Sequence, residues 1–389
     1  MELKRLNALE VESIVKRFRI NGEVLEVYPF GSGLINDTFL VKNKNSGSDD
    51  YLLQRINHHV FKDVSGLMRN VELIISHLKR RIAANSRDDA DRKALTLIPT
   101  LDDMLFYQDK NGGFWRLYVF LPGTRSYDLV TTERQAYEGG RAFGNFQFLL
   151  SDMNAGLLTE TIKDFHNIKK RLADLYDALS KDVLGRGAVI REEMCFIRDR
   201  EVNMSAVFNW GKEGILPQRV THNDTKFNNV LFDENDNVQC VIDLDTVMPG
   251  LVAYDFGDAV RTIINMASED EADIARIQLN VPLFEAYTNG YMEEAGAFLT
   301  EKEIESLQLG MMLLPYMQGV RFLTDFLNGD KYFKIAYPNH NLVRAKAQFQ
   351  LLRKLESQQQ TLEEIISAAA AKRLVRVQKP GEAEDAVRG

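Results

Sequence analysis

The sequence predicts an α+β fold with two lobes, a small antiparallel-sheet lobe followed by a mostly helical lobe. Short segments rich in β-branched and aromatic residues are concentrated in the first third of the chain, whereas helical periodicity dominates after residues 122–123. The length of 389 residues also exceeds that of one average domain. A hydrophobic fraction of 45% and a charged fraction of 27% are typical of globular proteins and exclude wholesale disorder.

The predicted N-terminal lobe covers residues 1–121 and combines five antiparallel strands with one helix, preceded by a stretch of helical spacing at residues 6–20. Glycine- and serine-rich turns separate the first three strands, which indicates a meander. The apolar spacing at residues 64–82 matches one buried helix face. In chain order, this stretch is followed by strands at 24–30, 38–43 and 51–56, a helix at 64–82, and strands at 104–109 and 114–121.

The predicted helical lobe covers residues 122–372, and a polar tail that we expect to fray covers 373–389. The boundary between the lobes is placed at residues 121–127. A β island interrupts the helices at 219–222, 229–233 and 238–245. The predicted helices lie at 134–151, 166–180, 187–210, 281–297, 301–327 and 340–376.

Charge and cysteine content restrict the classes of partner and the compartment. The 48 basic and 56 acidic residues give a net charge of −8, which argues against broad binding to nucleic acid or anionic lipid. Cys195 and Cys240 are too few and too far apart for a disulfide framework or a zinc motif, and both are expected to be buried thiols. Without a signal-like or membrane-spanning apolar run, we expect a cytoplasmic protein. A monomeric state is compatible with the sequence.

The β island carries the strongest chemical signal, because His222, Asp224 and Asn229 precede one strand and Asp243 and Asp245 end the next. Phosphoryl transfer needs a carboxylate that orients the attacking hydroxyl and accepts its proton, and Asp224 is the candidate. Magnesium takes one or two oxygen ligands from a protein, which Asn229 and Asp243 can provide.

Two other residues of the island receive less specific predictions. Asp245 is expected on the same strand face as Asp243, because side chains alternate with period two. There it could bind a second metal ion, hold a water molecule or contact substrate. His222 is interpreted as a structural histidine that braces the loop.

These motifs resemble the aminoglycoside phosphotransferase superfamily, relatives of protein kinases that phosphorylate small-molecule hydroxyls. Within it, the chain is most similar to the N-acetylhexosamine 1-kinases, which phosphorylate the anomeric hydroxyl of N-acetylglucosamine or N-acetylgalactosamine. The resemblance runs from about residue 10 to 355 and implies a protein-kinase-like bilobal fold that uses ATP and Mg²⁺. The segments that carry it are 68–73, 221–229, 242–250, 255–258, 321–323 and 337–344.

The resemblance also implies roles for individual residues on the acceptor side. Asp224 would be the catalytic base and contact the acceptor, while Asn229 and Asp243 would hold Mg²⁺. Arg321 and Tyr332 match positions expected to contact the sugar. Further substrate contacts are expected from Lys226, beside the transferring phosphoryl group, and from Asp245.

On the nucleotide side, glycines between the first two strands let the backbone approach phosphates. A kinase usually has a phosphate-binding lysine on its third strand, but this chain has Gln54 at that place, with Arg55 as a candidate substitute and Glu72 as the candidate helix partner. Leu34 stands where hexosamine kinases are expected to have a histidine. The expected nucleotide-binding residues are Gly31, Gly33, Asn36, Thr38, Gln54 and, through the hinge backbone, Tyr118 and Phe120.

The segment 255–258 reads Asp-Phe-Gly-Asp, but it follows Asp243, which already supplies the metal position. Asp255 is therefore expected to cap a helix or anchor the catalytic loop. Two other functions stay open. The acceptor could be another sugar, an amino alcohol or an aminoglycoside, or the missing lysine could mark a catalytically silent nucleotide-binding protein.

Overall fold

The computed structural model describes residues 8–31, 35–85 and 90–377. Its strands are β1 (Val24–Pro29), β2 (Asp37–Asn43), β3 (Tyr51–Ile56), β4 (Leu97–Ile98), β5 (Tyr107–Gln108), β6 (Phe114–Val119), β7 (Arg219–Thr221), β8 (Val230–Phe232), β9 (Val238–Val241) and β10 (Met248–Gly250). Its helices are α1 (Ala8–Val15), α2 (Val64–Asn85), α3 (Ala90–Lys93), α4 (Glu133–Leu149), α5 (Ile168–Lys181), α6 (Arg191–Met204), α7 (Ala206–Lys212), α8 (Val252–Ile263), α9 (Val281–Ala295), α10 (Glu301–Leu327), α11 (His340–Ser357) and α12 (Gln359–Val377).

The chain forms two compact units, and neither is continuous in sequence. The sheet unit consists of residues 1–125, 152–163 and 231–249. The helical unit consists of residues 126–151, 164–230 and 250–389. The predicted lobe boundaries, which treat each lobe as one continuous segment, stay a prediction.

The sheet unit is built on an antiparallel sheet of order β1-β2-β3-β6-β4, with β5 also paired to β6. Alternating apolar residues turn one face toward α1, where Val15, Leu53 and Leu117 are fully buried. The register places Gln54 opposite Thr38 on β2 and opposite Arg116 on β6. Side chains from three strands therefore meet at the position of Gln54.

The helical unit requires a very close approach of α8 and α10. A Cβ atom added to Gly257 would lie 2.3 Å from the carbonyl oxygen of Gly310, so only glycine fits there. Helix α10 begins with a capping box of Thr300 and Glu303, which satisfies two backbone N–H groups. This packing fixes α8, the helix that carries Asp255.

The predicted α+β class, with an antiparallel-sheet N-terminal region and a mostly helical remainder, is confirmed. Strand β3 and helix α10 have the predicted bounds. No range is predicted for helix α8, although Asp255 is expected to cap a helix. Its polar residues Asp255, Asp258 and Arg261 recur at helical spacing, so the sequence does carry a periodic signal there. The predicted helices at 187–210 and 340–376 are each interrupted, at Ser205 and Gln358 respectively.

Other expectations need correction. Cys240 is buried as expected, but Cys195 lies on an exposed face of α6 and is not a buried thiol. Strand β9 ends at Val241, so Asp243 and Asp245 follow the strand instead of sharing one of its faces. Among the described helices, none is long and apolar enough to cross a membrane.

Candidate active site

The loop that carries Asp224 is held by a buried carboxylate from α8. Asp255 accepts backbone N–H groups from His222 at 2.8 Å and Asn223 at 2.7 Å. The hydroxyl of Thr225 donates to the backbone carbonyl of Asp255 at 2.6 Å. The expected loop anchor is therefore confirmed, whereas the expected helix cap is wrong, because Asp255 lies inside the first turn of α8.

His222 braces the same loop, as the sequence predicts. Its ring packs edge-on against Phe143 and Phe146, with centroids 5.8 and 5.6 Å away. Its Nδ1 accepts the backbone N–H of Asp224 at 3.3 Å. The His222 imidazole therefore connects the backbone of the loop to the two phenylalanine rings of α4.

Asp224 is paired and held in one orientation. Lys226 Nζ lies 3.0 Å from Asp224 Oδ1, and Asn229 Nδ2 donates to the Asp224 carbonyl at 2.9 Å. Burial acts to raise the pKa of Asp224, but Lys226, His222 and Arg261 outweigh it, so the pKa is lowered from its ordinary value. The helical unit thus presents an ionised carboxylate beside an ammonium group.

The acidic turn after β9 separates its two carboxylates. Asp243 is exposed and has a left-handed backbone with φ of 60°. Asp245 lies in a short 3₁₀ turn and is 1% exposed. The alternation argument fails here because the chain has already left the strand.

Asp245 belongs to a buried network of the sheet unit. Its Oδ1 accepts from Arg116 Nη1, and its Oδ2 accepts from Asn36 Nδ2 at 2.7 Å. Arg116 also donates to Gln54 Oε1 through Nε at 3.0 Å and Nη2 at 2.8 Å. Gln54 Nε2 then donates to Thr38 Oγ1 at 3.2 Å. The substrate contact of Asp245 stays a prediction, since both oxygens already have partners within the chain.

Arg116 is the cation at this place, and the sequence reasoning missed it. Burial acts to lower the pKa of Arg116, but Asp245 and Asp243 raise it, so the guanidinium stays charged. The available signal was a lone arginine in the otherwise apolar strand β6. Strands β3 and β6 are paired, so the residue opposite Gln54 is a candidate for the positive charge that a lysine at the Gln54 position would supply.

Arg55 does not supply the positive charge near Gln54, and Glu72 is not the acidic partner of that charge. Arg55 stacks over Trp115, 5.8 Å from the ring centroid, on the other side of β3 from Gln54. Glu72 is exposed, and no ion pair of the described residues includes it. Helix α2 instead places Met68 Sδ 3.9 Å from Arg116 Nη1.

Other predicted nucleotide-binding residues have the following surroundings. Gly31 has φ of +79° and open space around its α-carbon, while Gly33 and Leu34 lie outside the described residues. Tyr118 is buried in β6. The backbone N–H of Phe120 donates to the carbonyl of Asp50 at 2.8 Å, so a hinge contact there requires another backbone group.

Arg321 projects from α10 into an aromatic setting. Its guanidinium carbon lies 5.4 Å from the Phe165 centroid and 5.5 Å from the Phe333 centroid. Its Nη1 donates to Gln318 Oε1 at 2.9 Å. Tyr332 has a 61% exposed side chain next to Phe333, so its hydroxyl is open to solvent.

The loop that carries Tyr332 is organised by Asp325. One carboxylate oxygen accepts the N–H groups of Lys331 and Tyr332, and the other accepts that of Phe333, all at 2.9 Å. Asn341 Nδ2 also donates to Asp325 at 2.9 Å. The motifs at 321–323 and 337–344 are therefore linked through one buried carboxylate.

The predicted residues thus form local groups. The helical unit brings Asp224, Lys226 and Asn229 together, and the sheet unit brings Asn36, Thr38, Gln54 and Asp245 together. The predicted Mg²⁺ ligands are an amide oxygen and a carboxylate, the donor types that Mg²⁺ prefers. Because Asn229 uses its Nδ2 toward Asp224, its Oδ1 is the atom suited to a metal ion. No cluster of three or more acidic, histidine or cysteine side chains that could hold a metal ion occurs in the described ranges.

The chain matches one family model in sequence and several solved structures in fold. A family model described as the phosphotransferase enzyme family, APH, matches residues 26–291. A solved spectinomycin phosphotransferase with ADP and spectinomycin has a TM-score of 0.56 and 13% identity, covering 94% of this chain and 99% of its own. A choline kinase from Cryptosporidium parvum has a TM-score of 0.55 and 16% identity over 92% and 98% of the two chains. An amicoumacin kinase with AMP-PNP and Ca²⁺ has a TM-score of 0.58 and 11% identity over 90% and 94%.

Proposed function

Because the chain belongs to the APH phosphotransferase enzyme family, we propose that it is an ATP- and Mg²⁺-dependent kinase of N-acetylhexosamines. The proposed product is the hexosamine 1-phosphate, formed at the anomeric hydroxyl. The observation that carries the proposal is the ionised Asp224 carboxylate, which is paired with Lys226 while the Asp224 backbone carbonyl accepts from Asn229. A carboxylate in this state can orient a hydroxyl and accept its proton.

In the proposed reaction the anomeric oxygen of the sugar attacks the γ-phosphorus of ATP. The new O–P bond forms as the bond between the γ-phosphorus and the β,γ-bridging oxygen breaks, and ADP leaves. The hydroxyl proton passes to a carboxylate oxygen of Asp224. Lys226 lies where its charge can offset the negative charge of the transferring group.

Asn229 and Asp243 are the proposed Mg²⁺ ligands. A bound Mg²⁺ would neutralise charge on the phosphates during transfer. Asp243 is exposed, as a ligand must be before the metal-nucleotide complex arrives. The proposed contacts with the nucleotide are Gly31, Gly33, Asn36, Thr38, Gln54 and the backbone at Tyr118 and Phe120.

Arg321 and Tyr332 are the proposed sugar contacts. The guanidinium of Arg321 is presented between two aromatic rings, and the Tyr332 phenol is exposed. Planar donors and phenols suit hydroxyl and acetamide groups. Similar structures include kinases of choline and of antibiotics, so another acceptor is the second candidate. A silent nucleotide-binding protein is the third, and the paired Asp224 argues against it.

The test is ADP release with Mg²⁺-ATP and seven acceptors: N-acetylglucosamine, N-acetylgalactosamine, glucose, galactose, choline, homoserine and kanamycin. We expect the two N-acetylhexosamines to give the highest kcat/KM. Asp224→Asn serves as the inactive control for each acceptor. Higher kcat/KM for choline, homoserine or kanamycin would contradict the proposed acceptor, and ATP binding without turnover would favour the silent protein.

A further inference from the structure

Phe165 of the helical unit brings two arginines together. The guanidinium of Arg321 lies over its ring, with 5.4 Å between the guanidinium carbon and the centroid. Arg171, on α5, donates through Nη2 to the Phe165 carbonyl at 2.9 Å. Two positive groups from different helices therefore converge on one residue.

The two arginines lack an ion-pair partner in the part of the chain that the structure describes. Among the described residues, no carboxylate lies within ion-pair distance of Arg171 or Arg321. Arg171 Nε is buried and has no hydrogen-bond partner in the described chain. Burial lowers the pKa of Arg171, and the charge of Arg321 lowers it further. Such an arrangement is costly unless a ligand accepts these N–H groups.

His166 adds a hydrogen-bond acceptor and connects this place to the catalytic loop. Its Nε2 donates to the backbone carbonyl of Asn223 at 3.1 Å, the residue immediately before Asp224. Its Nδ1 is buried and has no partner among the described residues. Burial lowers the pKa of His166 to about 4, so the ring is neutral and Nδ1 accepts hydrogen bonds.

The carboxylates whose charges act on Arg171 are Asp174 and Asp164, and both have other partners: Asp174 pairs with Lys170, and Asp164 accepts from Asn167 Nδ2. Asp258, whose charge acts on His166, is also paired. Asp258 Oδ1 accepts from Arg261 Nε at 3.1 Å and Nη2 at 2.8 Å, so its charge is already compensated. Its Oδ2 is another buried oxygen without a partner in the described chain. Arg171 Nε and His166 Nδ1 therefore offer one hydrogen-bond donor and one acceptor that have no partner in the described chain.

We propose that Arg171 and His166 form, with Arg321, an acceptor-binding site that takes neutral, oxygen-rich sugars and rejects acceptors bearing an ammonium group. The inference rests on the proposed function and extends it to the charge of the acceptor. Hydroxyl and acetamide oxygens satisfy the arginine donors, and a sugar hydroxyl can donate to His166 Nδ1. An ammonium group can accept from none of them and is repelled by both guanidinium groups.

The experiment measures kcat/KM for N-acetylglucosamine, glucose and glucosamine at a pH where the amine is protonated. Wild type is expected to prefer either neutral sugar over glucosamine at least tenfold. Arg171→Gln should lower kcat/KM for neutral sugars roughly 10- to 100-fold through the acceptor KM and reduce the discrimination about tenfold. Arg171→Lys should keep the discrimination, because the charge remains. Arg276→Gln, which removes an exposed arginine of the same unit, is the matched control and should change neither value.

His166→Gln provides a second variant that needs no change of charge. It should raise the acceptor KM several-fold and leave the KM for ATP unchanged. A merely structural histidine would instead change both values or lower kcat alone. If Arg171→Gln does not fold, this variant and the wild-type discrimination decide the inference.

The results that overturn the inference differ from those that overturn the proposed function. Equal loss of activity toward neutral and cationic acceptors in Arg171→Gln, or a wild-type preference for glucosamine, choline or kanamycin, would overturn the inference. Turnover of glucose but not of N-acetylhexosamines would overturn the proposed function alone, since glucose and glucosamine still test the charge. If no acceptor is turned over, binding of the same three sugars is measured by saturation-transfer NMR instead of kcat/KM. Equal binding of neutral sugars and glucosamine, or no binding of any of them, overturns the inference.

Discussion

The guanidinium of Arg116 and the carboxylate of Asp245 form a buried ion pair that joins β6 to the turn after Asp243. The same carboxylate holds Asn36, which follows the glycine segment. Arg116 is also bonded to Gln54, at the strand position where kinases usually carry a lysine. The missing lysine is therefore accompanied by a cation on the neighbouring strand, and its absence is no sign of a degenerate site.

Breaking this pair should be costly. Arg116→Met leaves an uncompensated carboxylate in a site that is 1% exposed, and we expect a loss of about 3–5 kcal/mol in the free energy of unfolding. Urea denaturation of purified protein measures the change. The double variant Arg116→Met with Asp245→Asn should lose less than the sum of the single variants. Additive losses would show that the two side chains do not interact.

Asp224→Asn should abolish turnover and preserve nucleotide binding. The amide keeps the size of the carboxylate but cannot accept the hydroxyl proton, so kcat should fall roughly 10²- to 10⁴-fold. ADP release and ATP titration calorimetry measure the two effects. Asp177→Asn, which alters an exposed ion pair on α5, is the matched control. Near-normal turnover in Asp224→Asn would remove this residue as the base.

Asp255 and Asp243 should respond differently to the same substitution. Asp255→Asn weakens the anchor of two backbone N–H groups and should cost about 1–3 kcal/mol of stability. Asp243→Asn should lower the melting temperature less than Asp255→Asn does and greatly raise the Mg²⁺ concentration needed for turnover. Thermal melts and Mg²⁺ titrations separate these effects. A stable Asp255→Asn protein with altered Mg²⁺ dependence would reverse the assignment.

Removing Lys226 should shift the pH profile of kcat/KM toward higher pH. The pKa of Asp224 is lowered from 3.8, with Lys226, His222 and Arg261 as the lowering charges. The active, ionised form is therefore kept as pH falls until that lowered pKa is reached. Lys226→Met raises the pKa, so its acid limb should begin at higher pH than in wild type. Lys181→Met, which removes an exposed lysine, should leave the limb in place.

Protonation of His166 should lower the free energy of unfolding as the pH falls into the mildly acidic range. Its folded-state pKa of about 4 lies below the ordinary value of 6.5, because burial disfavours the charged ring. The corresponding stability is fully present above 6.5 and is lost as pH falls toward 4. Urea denaturation between pH 7.5 and 4.5 should show a smaller decline in His166→Gln than in wild type. Parallel declines would contradict the neutral, buried state of this ring.

Much of the fold was predictable because local patterns and packing agree. Strand β3 is bounded by turn residues, and the Thr300–Glu303 capping box marks the start of α10, so the predicted and observed bounds of both elements agree. Helix α8 has no predicted range, although Asp255, Asp258 and Arg261 recur every third residue, as on one helix face; the Asp-Phe-Gly-Asp segment is interpreted as a motif instead. The splits at Ser205 and Gln358 also lack a glycine or proline that would mark them.

The candidate site was predictable only where its residues are close in sequence. The spacing of His222, Asp224 and Asn229 predicts a catalytic loop, and this prediction needs no contact with a distant part of the chain. Arg116 and Asp245 are 129 residues apart, and only the strand register and the turn after β9 bring them together. Arg171 and Arg321 meet at Phe165 through the packing of α5 on α10, which sequence spacing does not encode.

The most direct measurement is the ¹H–³¹P correlation spectrum of the product formed from Mg²⁺-ATP and N-acetylglucosamine or N-acetylgalactosamine. The proposed function predicts a correlation between phosphorus and the anomeric proton, present with wild type and absent with Asp224→Asn. A correlation to the C6 protons, or to protons of a different acceptor with neither sugar consumed, would contradict phosphorylation at the anomeric hydroxyl.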